Sequence, residues 1–432
     1  MKTIVLGAGM TGLAAAMMLA RDGHRVTVLE RDPDPVPDTP EAAWERWRRR
    51  GVAQFRQAHL MQARGTQVLE HELPDVRQAL EAAGALRLDV VSRLPVTIAD
   101  RSPRPGDERL LTVTARRSTL EQVIARAAES EPGVEVRRGA PVAWLEMRDA
   151  RVTAVRDARG DRHEGDLVVD AMGRGSVLPR LLGDAVQEEQ EAGGFLYYTR
   201  FFRGRMPELR ALPLTHMGRF SIVALPADAG VWSITLVISA RDRELRRLRD
   251  EAAWTAMVRS CPQHAHWLDG APLTGVVSMG GRLGRRRTIE PRLGGIVSLG
   301  DAWAYTNPSL GRGMTLGLMH AALLRRVGGD PAAFAAATER EIGPWYRSTV
   351  ATDRARLAQI DVLLAGSEPA PPADLPGRVL AALPVAMLHD PDVFRAGSEI
   401  SNCLTLPQDV LSRPGLAQRV LAAAGEVPAL AA

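Results

Sequence analysis

The chain opens with a short apolar run, Ile4-Val5-Leu6, the pattern of a strand covered on both faces. Residues 11–21, rich in Ala, Leu and Met, predict a helix, and the β-branched residues 25–29 a second short strand. The buried-strand pattern returns at Leu167-Val168-Val169 and at Ile296-Val297-Ser298-Leu299, and a helix is predicted from Met314 to about Val327. Short apolar strands alternating with helices point to an α/β fold with a parallel sheet.

A different rhythm intervenes. Residues 195–202, 220–225 and 231–239 predict three antiparallel strands, and 142–147 with 151–155 a hairpin through Arg148-Asp149-Ala150. Ser118 and Glu121 have the capping-box spacing ahead of a helix over 120–128. Residues 41–50 have helical composition, with Trp44 and Trp47 on one face. Gly366, Pro369, Pro371, Pro372 and Pro376 mark a linker before a helical tail. The expected divisions are a first unit over 1–185, an inserted antiparallel sheet over 186–284, a return to the first unit over 285–365, and the tail over 366–432.

Composition changes this picture little. The chain has 432 residues, 45% hydrophobic and 25% charged, with a net charge of +4, as in ordinary globular proteins. Lys2 is the sole lysine, so arginine carries the basic charge. The runs Arg48-Arg49-Arg50 and Arg285-Arg286-Arg287 read as solvated faces, and no nucleic-acid module is visible. Two cysteines, Cys261 and Cys403, make no disulfide framework and fit a reducing, cytoplasmic setting. The apolar run from Ile4 imitates a secretion signal, but its glycines have a better explanation, and no membrane span is expected. Cys261, His264 and His266 lack a fourth partner at metal-site spacing, so no metal is expected.

Gly7-Ala8-Gly9-Met10-Thr11-Gly12 lies between the first strand and the first helix. In such a turn the glycines permit the bend, the close approach of backbone to a pyrophosphate, and tight helix–strand packing. The helix start favours the phosphates. Glu30 ends the second strand, where its carboxylate suits a ribose diol and would repel a 2′-phosphate; Arg31 follows it. The site is therefore built for FAD or NAD. Far along the chain, Ile296-Val297-Ser298-Leu299-Gly300-Asp301 is a strand ending in Gly-Asp. Asn307-Pro308-Ser309-Leu310-Gly311-Arg312-Gly313-Met314 follows and opens a helix.

With these two elements in order, the chain resembles the FAD-dependent monooxygenases of the aromatic-hydroxylase and bacterial-epoxidase superfamily. The resemblance implies a Rossmann-like FAD-binding domain, with Asp301 on the ribityl chain and the turn of Gly311, Gly313 and Met314 along the flavin. It also implies a cofactor role for Arg117 and a place beside the adenine for the backbone of Val142. The expected reaction is insertion of one oxygen atom, by hydroxylation or epoxidation, into a lipophilic small molecule, a chemistry that resides in the cofactor. A dehydrogenase or oxidase using the same FAD, and a non-catalytic flavin-binding protein, are the alternatives. No catalytic acid–base residue stands out.

Two departures matter. Where hydroxylases reduced directly by NADPH commonly have Ala-Asp-Gly, this chain has Ala171-Met172-Gly173, with Asp170 two positions early. FAD reduction through a separate flavin reductase is therefore the expected route, with direct reduction by NAD(P)H the alternative. The run 51–60, ending Ala58-His59-Leu60, is similar to segments of the epoxidase subgroup. His59 is accordingly a candidate to face flavin or substrate, with a backbone-satisfied helix-start histidine as the competing reading. Tyr198, Phe220 and Trp232 are the candidate substrate contacts on the antiparallel sheet, of which alternation allows only a subset to face the pocket.

Overall fold

A computed structural model describes residues 1–191, 194–282 and 284–425. Its central sheet has five parallel strands in the order Ile296–Ser298, Leu167–Asp170, Lys2–Leu6, Arg25–Glu30, Val134–Arg138. The edge strand Val134–Arg138 carries three charges on Val-Glu-Val-Arg-Arg, a pattern suited to an edge and unlike its buried neighbours. Helices Met10–Arg21 and Gly313–Val327 pack over the sheet in one apolar cluster containing Leu13, Met17, Val28, Leu318 and Leu324. The two helices come close because Gly317 lies directly against Thr11, with no room for a side chain there.

The second sheet has six antiparallel strands. Gly194–Arg203 pairs with Val231–Ser239, which pairs with Phe220–Pro226, with Leu214–Met217 at one edge. Val277–Arg282 and the short Ala271–Pro272 both pair with Gly194–Arg203. The two-residue period divides its faces. Tyr198, Phe202, Ile222, Trp232, Ile234 and Leu236 pack on one side with Trp254 and Trp267. Phe195, Tyr197, Val223, Leu225 and Val237 lie on the other, with Leu357 and Ile360 of helix Gly343–Leu364.

A buried ion pair joins the start of a helix to the turn between strands Phe220–Pro226 and Val231–Ser239. Arg116, just before helix Arg117–Ser130, reaches Asp228 at 2.8 Å, and their side chains are 1% and 2% exposed. Asp228 also accepts hydrogen bonds from the Arg116 backbone N–H and the Thr119 hydroxyl. The tail forms helices Leu375–Ala386, Pro391–Ser401, Pro407–Leu411 and Leu416–Gly425. They pack with Val90, Leu94, Ile98 and Leu110 and are tied down by Arg395 to Asp107 at 2.7 Å and by Asn402 to the Ala63 N–H at 2.9 Å.

Several local expectations are corrected. The capping box does not form: the helix begins at Arg117, and Glu121 instead accepts from Arg117 Nε at 2.7 Å. The helix expected over 41–50 is Pro40–Arg46, which leaves Trp47 beyond its end. Arg49 is no solvated residue; it is buried among Glu30, Asp32 and Glu121. The hairpin Val142–Arg148/Arg151–Asp157 turns through Asp149 and Ala150, both at positive φ, as a tight two-residue turn requires.

Candidate functional site

The carboxyl ends of the parallel strands, the Tyr197 side of the antiparallel sheet and the tail helices enclose one cavity of about 1980 Å³. Gly7, Gly9, Glu30, Arg31, Arg117, Val142, Asp301, Gly311, Gly313 and Met314 all line it. Ligands in open α/β folds bind at this end of the strands.

The glycine turn shows why the sequence folds this way. Gly7 has φ +102°, and a Cβ there would come 2.8 Å from the Ala171 carbonyl oxygen. A Cβ on Gly12 would overlap the Gly7 carbonyl oxygen and approach Val5 Cγ1 to 3.3 Å. Gly9 differs: it lines the cavity, and a Cβ there would meet no protein atom within 4 Å. Its side of the turn is open space beside the N-terminus of helix Met10–Arg21. Ala8, Gly12 and Gly300 shape the site from behind it. The Ala8 N–H donates to Glu30 Oε2 at 2.8 Å, and the Gly300 N–H donates to His320 Nδ1 at 3.1 Å.

Glu30 also accepts from the Asp32 N–H at 2.9 Å and lies 3.4 Å from Arg49 Nη2. A carboxylate has about four acceptor positions, so Glu30 can brace the turn and still meet a ribose. Burial pushes the Asp301 carboxyl up, against the pull of Arg117, Arg174 and Arg285. This donor and acceptor set fits FAD: Gly7 to Gly12, Glu30 and Arg117 would hold its ADP half. Asp301 and the turn of Gly311, Gly313 and Met314 would hold its ribityl-flavin half.

His59 has a backbone partner but lies in the loop before helix Ala63–Glu72, not at a helix start. Its Nδ1 donates to the Gln57 carbonyl oxygen at 2.9 Å, and the ring lines the cavity. Burial and the nearby Arg117 push it down to about 3, so the imidazole is neutral and Nε2 is an acceptor. Phe220 also lines the cavity. Tyr198 and Trp232 do not: both are buried in the cluster on the far side of the sheet from Tyr197, against which Phe220 also packs, and the Trp232 indole N–H donates to the Trp267 carbonyl at 2.9 Å. Val223 and Leu225 of the same sheet line the cavity instead.

Other groups in the site had no assigned role. Asp170 accepts from Ser176 Oγ at 2.5 Å and from the Met172 N–H at 3.0 Å, and so pins the turn in which Met172 departs from the hydroxylase pattern. Burial pushes Asp170 up to about 6. Arg174 lies over the Tyr305 ring at 5.3 Å. Asn307 accepts from the Tyr197 hydroxyl and donates to Asp353 Oδ1 at 2.6 Å. Burial raises Asp353 to about 7, against the pull of Asn307 and Arg312. Among the described residues no group of three His, Cys, Asp or Glu side chains is placed to hold a metal ion.

Residues 1–327 match the family model described as FAD binding domain. Protein Rv3254 of Mycobacterium tuberculosis is 30% identical over 75% of this chain and 72% of its own length. A kynurenine 3-monooxygenase of Salinispora tropica is 30% identical over 41% of this chain, but the match spans only 37% of that enzyme. A solved flavoprotein/dehydrogenase from Cytophaga hutchinsonii shares the fold at TM-score 0.66 and 15% identity, over 98% of this chain and 99% of its own. With the family model spanning both cofactor elements, the chain belongs to the FAD binding domain family and is an FAD-dependent oxidoreductase of the monooxygenase superfamily.

Proposed function

We propose that the chain inserts one oxygen atom from dioxygen into a lipophilic small molecule held between the Gly311–Met314 turn and the antiparallel sheet. The observation that carries this reading is the continuity of the cavity. Asp301 and Gly313 line the same space as Phe220, Val223 and Leu225 of the sheet and Leu383, Met387 and Phe394 of the tail. Bound FAD supplies the redox and oxygen chemistry. The protein's own part is placement and exclusion of water. Apolar residues of the sheet and tail form much of the substrate wall, while neutral His59 offers an acceptor. The N-terminus of helix Gly313–Val327 favours negative charge beside it.

The relative named kynurenine 3-monooxygenase supports oxygenation over dehydrogenation, although the match covers only part of that enzyme. We place flavin reduction with a separate reductase, because Met172 stands where direct NADPH users commonly carry Asp. A cytoplasmic setting completes the proposal. The free thiols of Cys261 and Cys403 support it, and among the described residues no helix is long and apolar enough to cross a membrane.

The test supplies candidate lipophilic substrates, a flavin-reducing system and isotopically heavy dioxygen. One heavy oxygen per product molecule is expected. A dehydrogenated, unlabelled product would transfer the chain to the dehydrogenases, and no turnover across a broad panel would favour a non-catalytic flavoprotein.

A further inference from the structure

The charges around the cavity are unevenly distributed. Among the described lining residues the carboxylates are Glu30, Asp32 and Asp301, all at the ends of parallel strands where the cofactor would bind. The remainder of the wall contains no Asp or Glu, yet Arg93 and Arg356 line it. Among the described residues Arg93 donates to the Asp89 and Leu110 carbonyl oxygens and Arg356 to the Gly218 and Phe220 carbonyl oxygens and the Gln359 amide oxygen, none of them a carboxylate. Both are half-buried, and even partial desolvation of a cation without a counter-charge is unfavourable. Such a cation is expected where a ligand brings the missing charge.

Arg356 is the better placed of the two. It stands on helix Gly343–Leu364, and Ser348, Thr352, Arg356 and Gln359 all line the cavity. Spacings of four and three residues put them on one face of the helix. Arg356 Nη2 donates to the Gly218 and Phe220 carbonyl oxygens at 2.6 and 2.9 Å, which anchors the guanidinium beside the turn at Gly218, also in the cavity wall. Its Nη1 is only 3.4 Å from Gln359 Oε1, and its Nε is buried with no partner. His216, which also lines the cavity, is neutral, because burial and Arg356 push it down to about 4. It adds no competing charge.

The other end of the same helix face meets the cofactor region. Ser348 Oγ lies 3.5 Å from Arg312 Nη1, and Arg312 belongs to the turn before helix Gly313–Val327. From Ser348 to Arg356 is roughly 12 Å along the helix axis at about 1.5 Å per residue. We infer that the substrate is an organic carboxylate: Arg356 pairs its anionic end, and its apolar body extends along this helix face toward the flavin-side turn. The inference rests on the substrate site proposed above and narrows its occupant from lipophilic to amphipathic and anionic. Arg356 acts here as a binding residue that orients the molecule.

The test titrates 1-pyrenebutyrate and 1-pyrenebutanol, which share one apolar skeleton, into the flavin-loaded protein and follows pyrene emission. Wild type should bind the carboxylate at least about tenfold more tightly than the alcohol, as a charge-assisted pair allows. Arg356→Gln should abolish that preference while leaving the alcohol's affinity within about twofold, and Arg356→Lys should restore part of it. Equal affinities in wild type, binding of neither compound, or a preference that survives in Arg356→Gln would overturn the inference. If Arg356 only braces the turn at Gly218, the Gln variant would weaken both ligands alike. The pyrene signal does not require flavin, so a colourless protein that still prefers the carboxylate would defeat the flavin reading and leave this one standing.

Discussion

Gly9 and Gly12 sit three residues apart in one turn, yet the geometry assigns them opposite consequences. Gly9 has φ −81° and ψ 171°, a conformation that alanine adopts without strain. Its added Cβ would touch no protein atom within 4 Å. Gly9→Ala should therefore leave the apoprotein unharmed, or stabilise it by about 0.4–1 kcal/mol through a less flexible unfolded chain. The methyl group would instead occupy the open side of the turn, where a diphosphate must approach the backbone. FAD affinity should fall at least tenfold, which is ~1.4 kcal/mol. Gly12→Ala puts its Cβ onto the Gly7 carbonyl oxygen and 3.1 Å from Ala171 Cβ, so the helix must move away from the sheet. Overpacking of this kind costs about 1–3 kcal/mol, and cofactor affinity should drop with it. Urea denaturation of both apoproteins, followed by circular dichroism, separates the two effects. Titration with FAD, read by quenching of flavin fluorescence, gives the affinities. If Gly9→Ala binds FAD as tightly as wild type, the pyrophosphate does not lie against this turn and the reasoning fails.

Asp301→Ala should lower FAD affinity by at least about tenfold while the far-ultraviolet spectrum stays that of wild type; unchanged flavin content after purification would remove Asp301 from the site. Arg116→Ala should destabilise the protein by about 3–5 kcal/mol, because it strands the buried Asp228 charge; chemical denaturation measures this, and a loss under 1 kcal/mol would contradict the burial described. Burial pushes the Asp228 carboxyl up, but hydrogen bonds and charge from Arg116 hold it below its ordinary value. Its stabilisation is thus present above the unfolded value of about 3.9 and lost as pH falls through the lower folded value. The stability gap between wild type and Asp228→Asn should accordingly be constant from pH 5 to 7 and narrow below about 3.9, and a gap that widens in acid would show that the folded state does not hold Asp228 ionised. Anaerobic mixing of the purified protein with NADPH should leave the flavin yellow until a flavin reductase is added, and rapid bleaching by NADPH alone would refute the role read from Met172.

The cofactor half of the molecule was legible because its chemistry is local. The turn from Gly7 to Gly12 needs particular residues at fixed offsets, and Gly300-Asp301 follows a buried strand directly. The antiparallel strands were legible too, but not which of their faces meets the cavity. Tyr197 and Tyr198 are equally aromatic neighbours. Only pairing with Val231–Ser239 and packing of Trp254 decide that Tyr198 faces away. Arg49 was unreadable for a related reason. Three consecutive arginines look alike in sequence, and only the fold brings Glu30, Asp32 and Glu121 around the middle one. The tail showed its helical character but not its destination, since its wall of Leu383, Met387 and Phe394 is created by tertiary packing. Arg356 carried no local signal at all, because only tertiary packing sets it on a stretch of cavity wall without carboxylates.

The most direct check of the whole account is the flavin content of the protein itself. Protein purified in the folded state and then denatured should release FAD at a molar ratio near one per chain, with the visible spectrum of bound flavin before denaturation. A well-folded preparation that is colourless and takes up no FAD from an excess would contradict it.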